Sequence, residues 1–158
     1  MNIKNIRKPS PILFTPAGFE KVQKEQVALL EKRKTAVKNL QTAREMGDLS
    51  ENGAYKAARF ELTSIDRRLR ELARFLRFGK IVQSQNNGVV DIGSTVTIFD
   101  GKNRNEYAIV GGYESNPMQK RLSHISPVGR AILGKRKGDS VTVQIPTGSV
   151  IYTIEKVG

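Results

Sequence analysis

One short polar stretch between two long helical patterns decides the fold. Its sequence is Arg44-Glu45-Met46-Gly47-Asp48-Leu49-Ser50-Glu51-Asn52-Gly53-Ala54-Tyr55. The interruption between Met46 and Gly53 is short, so it leaves room only for a reversal of the chain. It also places two carboxylates, Asp48 and Glu51, in a half of the chain with a positive excess. Residues 1–78 hold 17 Lys and Arg against 9 Asp and Glu, a net charge of +8. Acids at the turn of a basic hairpin indicate presentation to a partner.

Seam residues flank this stretch on both sides at alternating steps of three and four. They are Phe19, Val22, Gln26, Leu29, Arg33, Ala36, Leu40 and Ala43 before it, and Tyr55, Ala58, Leu62, Ile65, Leu69, Leu72 and Leu76 after it. This spacing keeps one face of each helix toward a partner helix. It predicts an antiparallel coiled-coil hairpin with arms of about 28–30 residues, on the order of 40–45 Å long. Thr15 and Pro16 suit the cap and first turn of the first helix.

The composition changes at Gly79, where glycines and β-branched residues become frequent. Strands are predicted at residues 96–99, 107–110, 141–145 and 150–154. Residues 81–82 are expected to open the sheet, and residues 89–92 to add a strand. Ser126 as cap, Pro127 at the first position and Gly134 at the end predict a short helix at residues 126–133. The fold class is therefore α+β, with an N-terminal coiled-coil hairpin domain at residues 1–78 (tip at about 46–53) and a C-terminal domain at residues 79–158. In the second domain we expect a small antiparallel sheet that curls around one short helix.

Charge is the strongest compositional signal. The chain has 158 residues and a net charge of +12, which implies a polyanionic partner such as nucleic acid or a complex that contains it. An anionic protein surface or an acidic membrane face would attract it as well. The absence of Cys excludes disulfides and thiolate sites, and it favours a reducing cytoplasm. The start of the chain lacks the apolar core of an export signal.

Few residues suit catalysis. His124 is the only His, and no motif places a nucleophile beside it, so it is interpreted as a surface or strand-end residue. Gly111-Gly112 lacks the Lys and helix start of a phosphate loop. The tip acids allow two readings. Asp48 or Ser50 could cap the second helix with Glu51 beside its positive end, or Asp48 and Glu51 could give oxygens to Mg²⁺. Two carboxylates alone are too few for a good Mg²⁺ site, and the two readings are compatible.

Three segments together resemble the bacterial transcript cleavage factors of the GreA/GreB family, and GreA more than GreB. The tip, Arg44-Glu-Met-Gly-Asp-Leu-Ser-Glu-Asn-Gly-Ala-Tyr-Lys-Ala-Ala58, is similar to the family's tip signature. Thr15-Pro-Ala-Gly-Phe-Glu20 is similar to the start of its first helix. Ile125-Ser-Pro-Val-Gly-Arg-Ala-Ile-Leu-Gly-Lys135, followed by Gly138-Asp139, is typical of its C-terminal domain.

The resemblance implies a mode of action. In the family the hairpin enters the secondary channel of bacterial RNA polymerase, and an FKBP-like C-terminal domain docks on the channel rim. The tip acids, here Asp48 and Glu51, help to hold a Mg²⁺ in the polymerase's own active site, where the backtracked RNA is cut. The factor is then not an enzyme itself, and its Mg²⁺ is held jointly with the polymerase.

Further roles follow from the same resemblance. Leu49, Ser50, Asn52 and Tyr55 match residues that shape the tip. Arg44, Arg59 and Lys56 correspond to a basic patch near the RNA 3′ end, although a solvated helix face is the alternative for each. Ile125, Ser126, Pro127 and Gly129 are expected to dock on the polymerase. The partners implied are bacterial RNA polymerase and the nascent RNA 3′ end, with no membrane, and the protein is expected to be a cytoplasmic monomer.

The sequence departs from the family in two ways. Gly53-Ala54 stands where Ala-Glu is common, so one acid near the tip is missing, and the arms are unusually basic at residues 32–34 and 67–70. The alternative function is therefore a regulator that occupies the channel without stimulating cleavage. Proline isomerisation by the C-terminal half is a third hypothesis, but this half has no Trp and no aromatic-rich motif.

Overall fold

The computed structural model describes residues 10–46, 52–146 and 148–158, which fold as two compact units. One unit is formed by residues 20–78, and the other by residues 79–158 together with residues 10–19. The predicted division after residue 78 coincides with one of these limits, whereas residues 10–19 group with the C-terminal unit. No helix in the described ranges combines the length and the hydropathy that crossing a bilayer requires.

Two long helices form the hairpin, α1 at Pro16–Glu45 and α2 at Gly53–Phe78. The predicted seam is confirmed, because five of its fifteen residues are buried (Val22, Ala36, Ala43, Ile65 and Leu72) and nine others are half-buried. Arg33 was wrongly placed in the seam. Its side chain is 45% exposed, because burying a guanidinium in the seam would cost more hydration free energy than packing there would gain.

Ion pairs across the arms show that the helices run antiparallel. Arg68 donates to both carboxylate oxygens of Glu25, from Nε at 2.6 Å and from Nη2 at 2.8 Å. Nearer the tip, Arg33 Nε donates to Asp66 Oδ1 at 2.6 Å. The hydrogen bonds from Arg68 lower the pKa of Glu25, an effect that partial burial opposes and the charge of Arg68 reinforces. These pairs flank the seam and fix the register of one arm on the other.

The C-terminal unit contains a curled five-stranded sheet. Its strands are β3 at Thr95–Phe99, β4 at Arg104–Val110, β5 at Arg121–Ser123, β6 at Ser140–Ile145 and β7 at Gly148–Val157, in the order β5-β4-β3-β7-β6. All four strands predicted for it are present with longer bounds. Their alternating apolar residues build one core with Val90 and with Ile132 of α3 at Pro127–Ile132. The predicted α+β class is confirmed.

Some elements differ from the sequence prediction. Residues 81–82 do not open this sheet. Instead β2 at Gly79–Ile81 pairs in parallel with β1 at Ile12–Phe14, as a separate two-stranded sheet. Residues 89–92 form no strand, and Val89 makes only an isolated bridge to Arg136. The pairing of β5 with β4 is parallel, so the sheet is not wholly antiparallel. A β-branched composition identifies extended chain, but the partner decides whether that chain becomes a strand.

A buried carboxylate joins the start of α1 to the sheet of the same unit. Glu114, whose side chain is 4% exposed, accepts hydrogen bonds from the Thr15 N–H at 2.7 Å and the Thr15 hydroxyl at 2.5 Å. Arg121 donates to it at 3.0 Å and balances its charge. Thr15 in turn accepts from the Gly18 N–H at 3.1 Å, which confirms its predicted capping role. This cluster explains why residues 10–19 belong with the C-terminal unit.

Candidate functional site at the hairpin tip

The tip is described only on its two flanks. The predicted metal-binding acids Asp48 and Glu51, and the tip-shaping residues Leu49 and Ser50, lie outside the described residues. The end of α1 and the start of α2 are described, including Arg44, Asn52 and Tyr55 and the first turns that follow. These flanks fix the two points at which the chain enters and leaves the acidic segment.

Asn52 closes the hairpin immediately after the acidic segment. Its side-chain oxygen accepts a hydrogen bond from the Tyr55 N–H at 3.0 Å, the geometry of a helix N-cap. Its side-chain Nδ2 donates to the Ala43 carbonyl oxygen at 2.9 Å, across to the end of α1. One amide thus satisfies an orphan N–H of α2 and an orphan carbonyl of α1. The chain leaves α1 and enters α2 at a fixed separation.

This geometry corrects the capping hypothesis. Helix α2 begins at Gly53, so its N-cap is Asn52, and neither Asp48 nor Ser50 holds that position. Asn52 was not among the capping candidates named from sequence, although Asn is one of the residue types that favour this position. Since Asn52 caps α2, helix capping does not explain why an acid stands at position 48.

An aromatic contact supports the same end of the hairpin. The guanidinium carbon of Arg44 lies 5.9 Å from the centre of the Tyr55 ring, within the range of a cation–π interaction. Tyr55 is half-buried while Arg44 is exposed, so the ring faces the seam and the charge faces solvent. The structure therefore brings together three residues that were predicted for the tip: Arg44, Asn52 and Tyr55.

The other predicted basic residues lie on the outer side of α2. Lys56 and Arg59 are three residues apart and both are exposed, which places them on one face. Neither forms an ion pair with another residue in the described ranges. Their charges are available to an anionic ligand, and their role in RNA binding stays a prediction.

The donor set at the tip fits Mg²⁺ only as part of a larger site. Carboxylate oxygens are the hard ligands that this ion prefers, and the sequence supplies two of them, Asp48 and Glu51. Within residues 10–46, 52–146 and 148–158, no group of three or more His, Asp or Glu side chains is placed to hold a metal. The remaining ligands would come from water or from a partner.

The predicted docking residues lie around the start of α3 and divide into two kinds. Ile125 is 56% exposed, and Pro127 is exposed as well. Ser126 accepts from the Gly129 N–H at 3.0 Å and donates to the Ser123 carbonyl oxygen at 2.7 Å, so it caps the helix. Gly129 is buried, and a Cβ there would lie 2.0 Å from that same carbonyl oxygen. Contact with a partner is thus open to Ile125 and Pro127, which Ser126 and Gly129 position.

The other residues considered from sequence have structural roles. His124 follows β5, as predicted, and its Nδ1 lies 3.2 Å from the Val110 carbonyl oxygen. Gly111 packs so closely that a Cβ would lie 2.1 Å from the Leu13 carbonyl oxygen, which explains the glycine without a phosphate. Sequence reasoning missed Glu114, because an isolated Glu gives no sign that Thr15, Arg121 and the Gly111 N–H will all donate hydrogen bonds to it.

The sheet and α3 also enclose a cavity of about 250 Å³ that no sequence pattern indicated. Tyr107 of β4, Tyr152 of β7 and Val128 of α3 line it, together with Asp100 and Arg121. The two tyrosines are far apart in the chain, so only the strand order brings them to one cavity. An aromatic-lined recess therefore exists in this half without an aromatic-rich motif.

The fold and the tip geometry define a two-unit protein with a helical hairpin, and comparison with known proteins gives its family. The family model "Transcription elongation factor, N-terminal" matches residues 12–81, and "Transcription elongation factor, GreA/GreB, C-term" matches residues 85–158. The chain belongs to the GreA/GreB family of transcription elongation factors, as the sequence resemblance predicted.

Two individual relatives agree with this assignment. Transcription elongation factor GreA of Nitratiruptor sp. is 39% identical over 148 residues, which cover 91% of each chain. Transcription elongation factor GreA of Thermomicrobium roseum is 37% identical over 150 residues, covering 92% of this chain and 96% of that protein. Among solved structures, GreA factor homolog 1 of Thermus thermophilus is 26% identical with a TM-score of 0.45, covering 94% of this chain and 99% of that one.

Proposed function

We propose that the protein binds bacterial RNA polymerase, inserts its hairpin into the secondary channel and stimulates Mg²⁺-dependent cleavage of backtracked RNA, thereby rescuing arrested complexes. The proposal rests on membership of the GreA/GreB elongation factor family. The structural observation that carries it is the Asn52 clamp. Asn52 joins the two arms next to the segment that contains Asp48 and Glu51. A long narrow hairpin with acids at its closed end is suited to reach a recessed site.

The tip acids act in this proposal as ligands given to the polymerase. Asp48 and Glu51 supply carboxylate oxygens, and polymerase acids supply the rest of the coordination shell. Bound there, Mg²⁺ would lower the pKa of a water for attack on the phosphodiester. The Asn52 hydrogen bond to Ala43 limits how far apart the two ends of the segment that carries these acids can lie. The protein is an activator of the polymerase rather than an enzyme in isolation.

The flanking cations have a complementary role. Arg44, Lys56 and Arg59 lie on either side of the tip and are exposed, so they can pair with phosphates near the RNA 3′ end. Such contacts position the strand without reading its sequence, as a factor that acts on any arrested transcript requires. Ile125 and Pro127 offer an apolar contact for the channel rim.

The decisive experiment compares cleavage with binding in arrested elongation complexes. Asp48→Asn and Glu51→Gln remove the charge of a proposed ligand while keeping its size. Each is expected to lower stimulated cleavage at least about 100-fold, because a metal ligand supplies several kcal/mol to the transition state. Polymerase affinity should stay within about two-fold, since rim contacts are untouched. Glu45→Gln, an exposed acid of α1 just before the tip, is the matched control and should cleave normally.

The same experiment distinguishes the alternative, a channel-binding regulator without cleavage stimulation. The observation that favours it is Gly53-Ala54 at the start of α2, which adds no third acid to Asp48 and Glu51. A regulator of this kind would slow transcription equally with or without the two substitutions. Normal rescue of arrested complexes by the Asp48→Asn/Glu51→Gln double variant would exclude the metal-ligand role.

A further inference from the structure

The two outer strands of the five-stranded sheet differ in whether their free edges are covered. On β5, Arg121 exchanges two backbone hydrogen bonds with Asn116, each of 3.0 Å, and the Ser123 carbonyl oxygen accepts from the Ser126 N–H at 3.0 Å. On β6, at Ser140–Ile145, the backbone forms hydrogen bonds only with β7 among the described residues. That part of the sheet therefore has one closed edge and one open edge.

The pairing with β7 shows which backbone groups of β6 lie on the open edge. Antiparallel pairs alternate between those that exchange hydrogen bonds and those that do not. The Ile154 N–H donates to the Asp139 carbonyl oxygen at 2.9 Å, so Asp139 and every second residue after it bond toward β7. Ser140, Thr142 and Gln144 direct their N–H and carbonyl groups outward instead, and all three are exposed. These groups span about 14 Å along the strand.

Strand β6 carries none of the features that usually protect a sheet edge. Natural edge strands are very short, bulged, covered, or marked by a proline or a charged residue. The six residues Ser-Val-Thr-Val-Gln-Ile include no proline and no charge, and their register with β7 is continuous. On the outer surface, Ile151 of β7 lies opposite Thr142 and is 60% exposed. A long apolar side chain on an added strand would reach Ile151 across Thr142.

Cations lie at one end of the open edge. The turn that leads into β6 presents Lys135, Arg136 and Lys137, all of them exposed and without an ion pair in the described ranges. Asp139, which accepts from the Arg136 N–H at 2.8 Å, is the one acid of this turn. Three cations against one acid leave a net charge of +2. This charge attracts an acidic chain, whereas two copies of a protein with a net charge of +12 repel each other.

We propose that the open edge of β6 binds an extended, acidic segment of a partner protein as an additional strand. About five residues of the segment pair with the outward groups of Ser140, Thr142 and Gln144. Its acids contact the cations of the preceding turn. Main-chain hydrogen bonds supply the affinity, and the charge selects the partner. The inference goes beyond the proposed function, because it involves neither the hairpin tip nor the residues at the start of α3.

The test uses the full chain without polymerase and a synthetic peptide of about eight residues, in which three acids precede alternating Val and Thr. At saturating peptide, hydrogen exchange measured by NMR should slow about ten-fold or more at the amides of Thr142 and Gln144. Exchange at Val141 and Val143 should stay unchanged, because these amides already bond to β7. The same peptide with methylated backbone nitrogens keeps its charges but cannot donate, and it should bind at least about ten-fold more weakly.

Charge is tested separately from backbone pairing. Lys135→Gln/Lys137→Gln should weaken peptide binding about three-fold at about 0.1 M salt, and the difference should shrink at about 1 M, where exposed charges are screened. The matched control Arg67→Gln/Arg70→Gln removes two cations from α2 of the other unit. It should change peptide affinity less than about two-fold.

Thr142→Pro removes one outward N–H while leaving the ladder to β7 intact, and it should weaken binding about ten-fold, whereas Thr142→Val should bind normally. If the proline variant fails to fold, the methylated peptide decides, because it leaves the protein unchanged. Unaltered exchange at Thr142 and Gln144 with peptide bound, or equal binding of the methylated peptide, would overturn the proposal. Slow exchange without peptide that strengthens with protein concentration would also overturn it and assign the edge to a second copy. Failure of the proposed cleavage function would leave these results unchanged.

Discussion

The hairpin and the sheet unit are stabilised in different ways. The sheet unit surrounds Ile154, Ile109 and Ile132 with buried neighbours from several strands and α3. The hairpin has only a narrow seam between two helices, which ion pairs such as Arg68 with Glu25 flank. A seam leaves the remaining faces of each helix exposed, so they are free to carry charge. The unit with the smaller buried core is therefore the one that can present a long functional surface.

The largest expected effect tests this contrast in packing. Ile154→Ala in the sheet core and Leu72→Ala in the seam both remove a fully buried side chain. We expect a loss of about 3–5 kcal/mol in the free energy of unfolding for Ile154→Ala, and about 2–3 kcal/mol for Leu72→Ala, because two helices can close a gap better than a sheet core can. Urea unfolding, followed through NMR resonances of each unit, measures both. Equal losses in the two units would refute the distinction.

A smaller effect is expected at the clamp. Asn52→Ala removes both the cap of α2 and the hydrogen bond to the Ala43 carbonyl oxygen, which should destabilise the hairpin by about 1–2 kcal/mol. Asn52→Asp keeps an acceptor for the Tyr55 N–H but loses the amide donor. Hydrogen exchange at Tyr55 should therefore be faster in Asn52→Ala than in Asn52→Asp. If both variants exchange alike, the cap contributes little and the cross-arm bond dominates.

The smallest effect concerns the ion pair that flanks the seam. Arg68→Gln should destabilise the hairpin by about 0.5 kcal/mol at neutral pH, since both partners are partly exposed and screened by solvent. Arg68 lowers the pKa of Glu25 in the folded state. The stability from this shift is therefore fully present above the ordinary value of 4.5, and is lost as the pH falls through the lower folded value.

Thermal unfolding at a series of pH values from 7 downward measures this pH dependence. The difference between Arg68→Gln and the unsubstituted chain should shrink as the pH falls through the lowered pKa of Glu25, because that carboxylate then loses its charge. Arg67→Gln, an adjacent exposed arginine outside the pair, is the control and should show no such convergence. A difference that stayed constant with pH would mean that Arg68 acts through packing of its aliphatic stem.

Prediction from sequence succeeded where the signal is local and periodic. Steps of three and four located α1 and α2, and Ser126 with Pro127 located α3. It failed where a partner distant in sequence decides the outcome. Neither β1 nor β5 was predicted, because three residues carry too little pattern. Residues 89–92 have the composition of a strand, but only Val89 among them forms a β-bridge, so the segment does not become a strand.

The candidate site divides in the same way. The acids and the basic residues could be named from the tip sequence, because the spacing of Asp48 and Glu51 relative to Tyr55 is a property of the chain. The capping residue could not be chosen from sequence. Asn52 is the cap because its amide also reaches Ala43, and that second bond exists only when the arms are packed together.

By itself, the sequence determined that this chain forms a hairpin with two acids at its turn, a basic character and a strand-rich second half. Periodicity, capping residue types and charge are local properties that hold before any packing. The tertiary structure alone decided that Glu114 ties Thr15 to the sheet unit and that Asn52 joins the two arms. It also decided that the three acids of α2 pair with Lys32, Arg33 and Arg68. Most of these contacts depend on groups far apart in sequence, whose encounter is set by packing.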